Sequence, residues 1–160
     1  RRRDVIVRSA GEGDVDGLVR AHEAAWDAAI APIVGATLAQ LAPLDARIEQ
    51  ARSALADPPE TAHAWVAERD GEIVGMATAG DAELRNLYVV PAAWGTGIAR
   101  ELMQTALDWI AARGADEAVL WVGEANARAR RFYEREGWTL DVETRASPLG
   151  PPEVRYRRLL

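Results

Sequence analysis

Apolar positions near the start of the chain alternate briefly and then settle into helical spacing. Val5 to Val7 reads as a short strand and Gly11 to Gly13 as a turn. Val15, Leu18, Val19, His22 and Trp26 then recur near the helical period. Asp14 stands where an N-cap belongs, so a helix is predicted to run to about Ala29. Pro32 to Gly35 breaks it. Thr37 opens a short helical piece with Leu38 and Leu41, which Pro43 ends. Asp45 can cap another helix with Ile48, Ala51 and Leu55 on one face. Asp57-Pro58-Pro59 stops it, because proline lacks an N–H and restricts the residue before it.

The middle of the chain changes period. His63 to Glu68 and Glu72 to Thr78 flank Asp70-Gly71, a two-residue hairpin signal. After a turn at Gly80-Asp81, Ala82 to Val90 reads as a third strand. A helix follows from Gly97 to Arg113, with Ile98, Leu102, Ala106, Trp109 and Ile110 on its buried stripe and Gly114 as its stop. Ala118 to Val122 is nearly all apolar and suits a buried strand parallel to its neighbour. Asn126 can cap a helix carrying Ala129, Phe132 and Tyr133 that ends at Gly137. Trp138 to Thr144 and Val154 to Leu159 read as two further strands, with a Pro/Gly loop at Ala146 to Pro152. The order predicts a mixed α/β sheet with helices on both faces.

Composition narrows the class. One domain, residues 1–160, is expected from length. The net charge of -6 argues against nucleic acid or an anionic membrane as partner. There is no cysteine, which excludes disulfides, thiolate metal sites and an acyl-cysteine intermediate. No apolar run is long enough for a signal sequence or a membrane span, so a cytoplasmic location is expected. The chain opens on Arg1 rather than Met, as expected of a processed or trimmed product.

The candidate chemistry begins at Leu87 to Arg100, LYVVPAAWGTGIAR. A strand runs into Pro91, a Gly-X-Gly turn follows, and a helix starts at once. The first N–H groups of a helix lack internal partners and sit at its positive end, so a phosphate or pyrophosphate fits there. Gly95 and Gly97 allow a sharp turn and close approach of a ligand to the backbone. Neither rival phosphate motif is present. Arg100 stands where a dinucleotide fingerprint needs its third glycine, and no Gly-Lys-Ser/Thr occurs. His22 and His63 lack metal-ligand spacing, so no metal is expected. Trp109 and Trp121 read as core, and Arg130-Arg131 and the initial three arginines as solvated faces.

Several of these segments together resemble the GCN5-related N-acetyltransferase (GNAT) family. The family's loop, Gln/Arg-x-x-Gly-x-Gly/Ala, is matched by Trp94-Gly95-Thr96-Gly97-Ile98-Ala99, after the strand LYVVP. The hairpin DGEIVGMA (Asp70 to Ala77) and the stretch NARARRFYEREGW (Asn126 to Trp138) match in order and spacing. The departure is Trp94, where the family places Gln or Arg; its indole can only donate one hydrogen bond.

The resemblance implies an acyl-CoA N-acyltransferase fold, with a mostly antiparallel central sheet of about seven strands. It implies acetyl-CoA as cosubstrate and direct transfer of acetyl to a primary amine in a ternary complex. Gly95, Thr96, Gly97, Ile98, Ala99 and Arg100 would hold the diphosphate. Backbone groups of Leu87, Tyr88 and Val89 would pair with the pantetheine arm, and Asn126 would bond it. Tyr133 would protonate the departing sulfur. Glu83 would serve as base toward the amine, which is almost wholly protonated at neutral pH. Read without the resemblance, Glu83 is a solvated strand residue, Tyr133 a core aromatic and Asn126 a plain cap. Trp26 sits where the family lines its acceptor pocket, and packing explains it equally well. The acceptor, expected to be set by residues 26–59 and 146–152, is a small molecule or a protein amine. A homodimer is compatible with the resemblance. A non-catalytic acyl-CoA sensor and a transferase of longer acyl groups are the alternatives.

Overall fold

Residues 4–148 and 150–160 are described in a computed structural model of the chain. Arg1 to Arg3, expected on a solvated face, lie outside the described residues. Strand β1 (Val5–Ser9) leads through a 3-10 turn into helix α1 (Val15–Ala29). Two single-turn helices follow, α2 (Ala31–Val34) and α3 (Leu38–Leu41), and then α4 (Leu44–Ala56). Next come β2 (Ala62–Arg69), β3 (Glu72–Gly80), β4 (Glu83–Val89), α5 (Ile98–Ala112), β5 (Glu117–Gly123), α6 (Ala127–Arg135), β6 (Thr139–Ser147) and β7 (Gly150–Leu159). Among the described residues no helix is long and apolar enough to cross a membrane.

The strands form one seven-stranded sheet in the order β1-β2-β3-β4-β5-β7-β6. Every neighbouring pair is antiparallel except β4 and β5. That parallel pair is joined at one register position, Glu83 opposite Val119. Beyond it the two strands part, and the gap between them opens toward the N-terminus of α5.

Local rules account for most boundaries. Asp70 and Gly71 both take positive φ, 53° and 78°, as a two-residue hairpin of this twist requires. Thr37 caps α3 in a reciprocal capping box with Gln40. Asp14 stands at the N-cap position of α1, but its side chain makes no capping bond there. Its carboxylate instead receives two 2.8 Å bonds from Arg8 and one from the Gly11 N–H, tying β1 to the turn that follows. Asp45 lies inside the first turn of α4, behind Pro43. The expected loop at 146–152 is mostly strand: β6 runs to Ser147, and β7 begins at Gly150. Pro152 fits there because its role is to accept, from the Glu124 N–H at 2.9 Å.

The larger core layer packs α5 on the sheet. Leu102, Met103, Ala106, Leu107 and Ile110 are buried against Trp65, Ala67, Val74, Ala77 and Leu120. Fully burying each of the larger side chains contributes about 1.5–3 kcal/mol. Strand alternation turns Val66, between Trp65 and Ala67, to the opposite layer. Two expectations about surfaces change. Arg130 is bound inward, donating to the Tyr156 hydroxyl and the Glu124 carbonyl, both at 3.0 Å. Trp121 is half-buried, with the Arg145 guanidinium 4.4 Å from its ring centre.

Candidate functional site

A cleft of about 820 Å³ lies where β4 and β5 part. Its floor is the separated strands, its walls are α1–α2 and α6, and the loop before α5 closes one end.

The loop end is a bare backbone cradle. Gly95 and Gly97 have φ of 74° and 86°, a region that disfavours residues with a Cβ. A side chain at Gly95 would meet nothing within 4 Å, so the backbone there faces open space. Gly97 precedes α5 without a side-chain cap. The first α-helical bond runs from the Glu101 N–H to the Gly97 carbonyl, 3.1 Å. The N–H groups of Ile98, Ala99 and Arg100 therefore leave the helix end unpaired, at its positive pole. This geometry suits a diphosphate.

Along β4 the backbone alternates. The Val90 N–H bonds the Val74 carbonyl at 2.9 Å, so even-numbered Tyr88 turns its N–H and carbonyl to β3. Leu87 and Val89 turn theirs to the gap. Of the three residues expected to pair with a guest, Leu87 and Val89 are the two whose backbone groups face the gap, and the Val89 carbonyl is taken by Trp94. Tyr88 instead offers its ring, which stacks on His22 with centres 4.6 Å apart, while its hydroxyl donates to Met76 Sδ.

Trp94 is fixed by two contacts. Its indole N–H donates to the Val89 carbonyl at 2.8 Å, and the Arg128 guanidinium lies 3.4 Å over its ring. Burial and neighbouring Arg131 push the Arg128 pKa down from its ordinary value. Arg85, Arg100 and Arg135 also line the cleft. Arg100 is paired with Glu136 at 3.2 Å. Thr96 is outside the lining, and its hydroxyl donates to the Ala93 carbonyl at 2.5 Å.

On the opposite wall, Asn126 Oδ1 accepts from the Ala129 N–H at 3.2 Å, so the residue caps α6 while lining the cleft. Tyr133 is buried on the same helix and borders the cleft. Its hydroxyl has no hydrogen-bond partner among the described residues, and burial pushes its pKa up. Trp26 lines the cleft from α1. Glu83 does not line it. It sits at the strand junction, with its carboxylate 3.4 Å from Arg85.

Comparison with known proteins gives the family. The family model described as Acetyltransferase (GNAT) family matches residues 24–138. The chain belongs to the GNAT acetyltransferase family. An uncharacterized N-acetyltransferase of Mycobacterium tuberculosis is 39% identical over 118 residues, covering 67% of this chain and 71% of that one. An uncharacterized N-acetyltransferase of Archaeoglobus fulgidus is 40% identical over 79 residues, 42% of this chain and 54% of the other. Mycothiol acetyltransferase of Thermobispora bispora is 38% identical over 92 residues. That match covers 49% of this chain and 31% of the relative, so the likeness reaches only part of the longer protein. The PaiA N-acetyltransferase of Thermoplasma acidophilum, solved with coenzyme A, superposes with a TM-score of 0.78 at 15% identity. The coverage is 98% of this chain and 99% of that one. The protein thus has the GNAT fold, with a mostly antiparallel seven-stranded sheet.

Within this GNAT cleft the structure brings together the loop, the β4 edge, Asn126, Tyr133 and Trp26. It leaves Glu83 and Thr96 outside. Sequence reasoning missed Arg128 and His22. Arg128 is the second residue of α6, so it reaches the mouth beside the loop. His22 stands four residues before Trp26, on the same face of α1. That spacing was the available signal.

Proposed function

We propose that this protein transfers an acetyl group from acetyl-CoA directly to a primary amine while both reactants are bound. One observation carries the reading. A single cleft joins the bare first-turn amides of α5, the edge of β4 that no strand pairs beyond Glu83, and a Tyr133 hydroxyl with no hydrogen-bond partner among the described residues.

The residues fit the cosubstrate's shape and charge. Amides of Ile98, Ala99 and Arg100 suit the diphosphate, and Arg128 adds a cation at the cleft mouth. Leu87 and the Val89 N–H suit a guest lying along β4 as an added strand. Acetyl-CoA supplies an acyl carbon activated as a thioester. Tyr133 stays protonated because burial disfavours its phenolate, so it can give a proton to a departing sulfur. The chain contains no cysteine to carry the acyl group, which favours direct transfer by positioning.

A calorimetric titration with CoA and acetyl-CoA tests binding, and thiol release across a panel of primary amines tests transfer. Saturable binding with amine-dependent thiol release is expected. Absence of binding at millimolar cosubstrate would refute the reading.

A further inference from the structure

Taking the transferase reading as its premise, we propose that His22 takes the acceptor's proton. The acceptor is accordingly an amine on an apolar, flat body that lies against the α1–α2 wall.

Glu136 and Glu153 are the acids that line the cleft among the described residues, and each is engaged by an arginine. Glu136 faces Arg100 at 3.2 Å, and Glu153 faces Arg145 at 3.0 Å. Glu83, outside the lining, is held by Arg85 at 3.4 Å.

His22 differs from all three. It borders the cleft, its ring is stacked on Tyr88, and neither ring nitrogen has a hydrogen-bond partner among the described residues. Tyr88 lies between Leu87 and Val89, the two residues whose backbone groups face the gap. The imidazole is thus fixed beside the strand edge on which the acyl arm would lie. The groups bearing on it are few. Arg47 of α4, itself tied to Glu23 of α1 at 3.4 Å, acts on its charge. Tyr88 of β4 sits beneath the ring as a protonated phenol. Burial and Arg47 both hold the imidazole pKa below 6.5, so the ring is a free base at neutral pH.

The surrounding wall sets the acceptor class. From α1 through the Ile30 cap into α2, Trp26, Ile30, Ile33 and Val34 line the same wall as His22, and none of them is charged. Such a wall favours an apolar body over a polycation. The step balances simply. His22 takes one proton from the acceptor ammonium, and the freed nitrogen bonds to the thioester carbonyl carbon. The C–S bond breaks, and the sulfur leaves with the Tyr133 proton. Tyr133 regains a proton from the new amide nitrogen, and His22 releases its own to water.

The test uses the whole chain with acetyl-CoA and 2-phenylethylamine as the probe amine, with ethanolamine as the polar comparison. Thiol release is followed from about pH 5.5 to about pH 9, where a general base near its own pKa shapes the rate. Wild-type kcat/KM for 2-phenylethylamine is expected to fall on the acid side with a midpoint below 6.5. His22→Phe keeps a ring on Tyr88, and His22→Gln keeps a polar group. Both should lose about 10²-fold in rate and lose the acid limb, while calorimetric CoA affinity stays unchanged. Retention of rate and limb in either variant would overturn the role of His22. CoA binding without acetylation of 2-phenylethylamine at any pH, whether or not ethanolamine reacts, would overturn the acceptor class. Failure to bind CoA at all would strike the transferase reading instead.

Discussion

The Trp94 indole N–H reaches back to the Val89 carbonyl at 2.8 Å, tying the loop before α5 to the last residue of β4. The family's usual Gln or Arg would carry its polar atoms toward a phosphate, whereas here the side chain secures the protein's own backbone. A cation nevertheless stands beside the loop, because the Arg128 guanidinium is stacked on the Trp94 ring. Trp94→Ala removes both the anchor and the platform. The stacking and the hydrogen bond are each worth about 1 kcal/mol, so CoA affinity should fall roughly 5–30-fold. Calorimetry on Trp94→Ala and Arg128→Ala, alone and together, measures this. The double variant should lose less than the sum, because the two side chains act as one contact.

Gly97→Ala puts a methyl group on a residue at φ 86°. The left-handed region costs a residue with a Cβ about 1–2 kcal/mol. Because Gly97 sets the entry of α5, relaxation there turns the first-turn amides. A lower thermal midpoint and a CoA affinity reduced by about tenfold or more are expected, since the distorted amides are also the proposed diphosphate donors. Thermal melts with and without CoA separate the two effects.

Tyr133→Phe deletes a hydroxyl that bonds nothing else among the described residues. The ring still packs against Phe132, Trp138 and Tyr156. Stability and CoA affinity should therefore hold, while kcat falls by about 10²-fold, the usual scale for losing a positioned acid. Initial rates of thiol release at saturating acetyl-CoA provide the measurement. An unchanged kcat would assign the sulfur's proton to another donor.

Asp14 gives the fold a definite pH response. The Arg8 guanidinium holds its carboxyl below the ordinary value of 3.8, assisted by the Gly11 N–H. A depressed folded-state pKa means stability that is present above 3.8 and lost as pH falls through the lower folded value. Asp14→Asn should cost about 1 kcal/mol near neutrality, where a partly exposed bidentate pair and a turn bond are both weakened. Urea unfolding should show that gap at pH 7 and its shrinkage in acid, below 3.8.

Elements whose signals are local were legible in the chain. Asp70-Gly71 requires positive φ at adjacent residues, Asn126 has its cap partner three residues on, and the Gly95–Gly97 turn adjoins the helix it starts. Which strand lies beside which was less so. Alternation reports that one face of β5 is buried, but β7 pairs along it while β4 touches it once, and neither fact leaves a mark within those seven residues. The Pro-rich start of β7 read as loop because proline cannot donate, yet Pro152 is needed there only as an acceptor. Within the site, Glu83 matched by position in sequence, but the strand junction and Arg85 hold it aside. His22 looked like an ordinary helix residue until Tyr88, sixty-six positions away, was found beneath its ring.

The lone Glu83–Val119 bridge has a mechanical meaning. The β5-β7-β6 portion meets the β1-to-β4 portion through little more than that clasp and the shared support of α5. A guest laid along Leu87 and Val89 would act as a splint across the seam, stiffening the molecule while it is being chemically consumed.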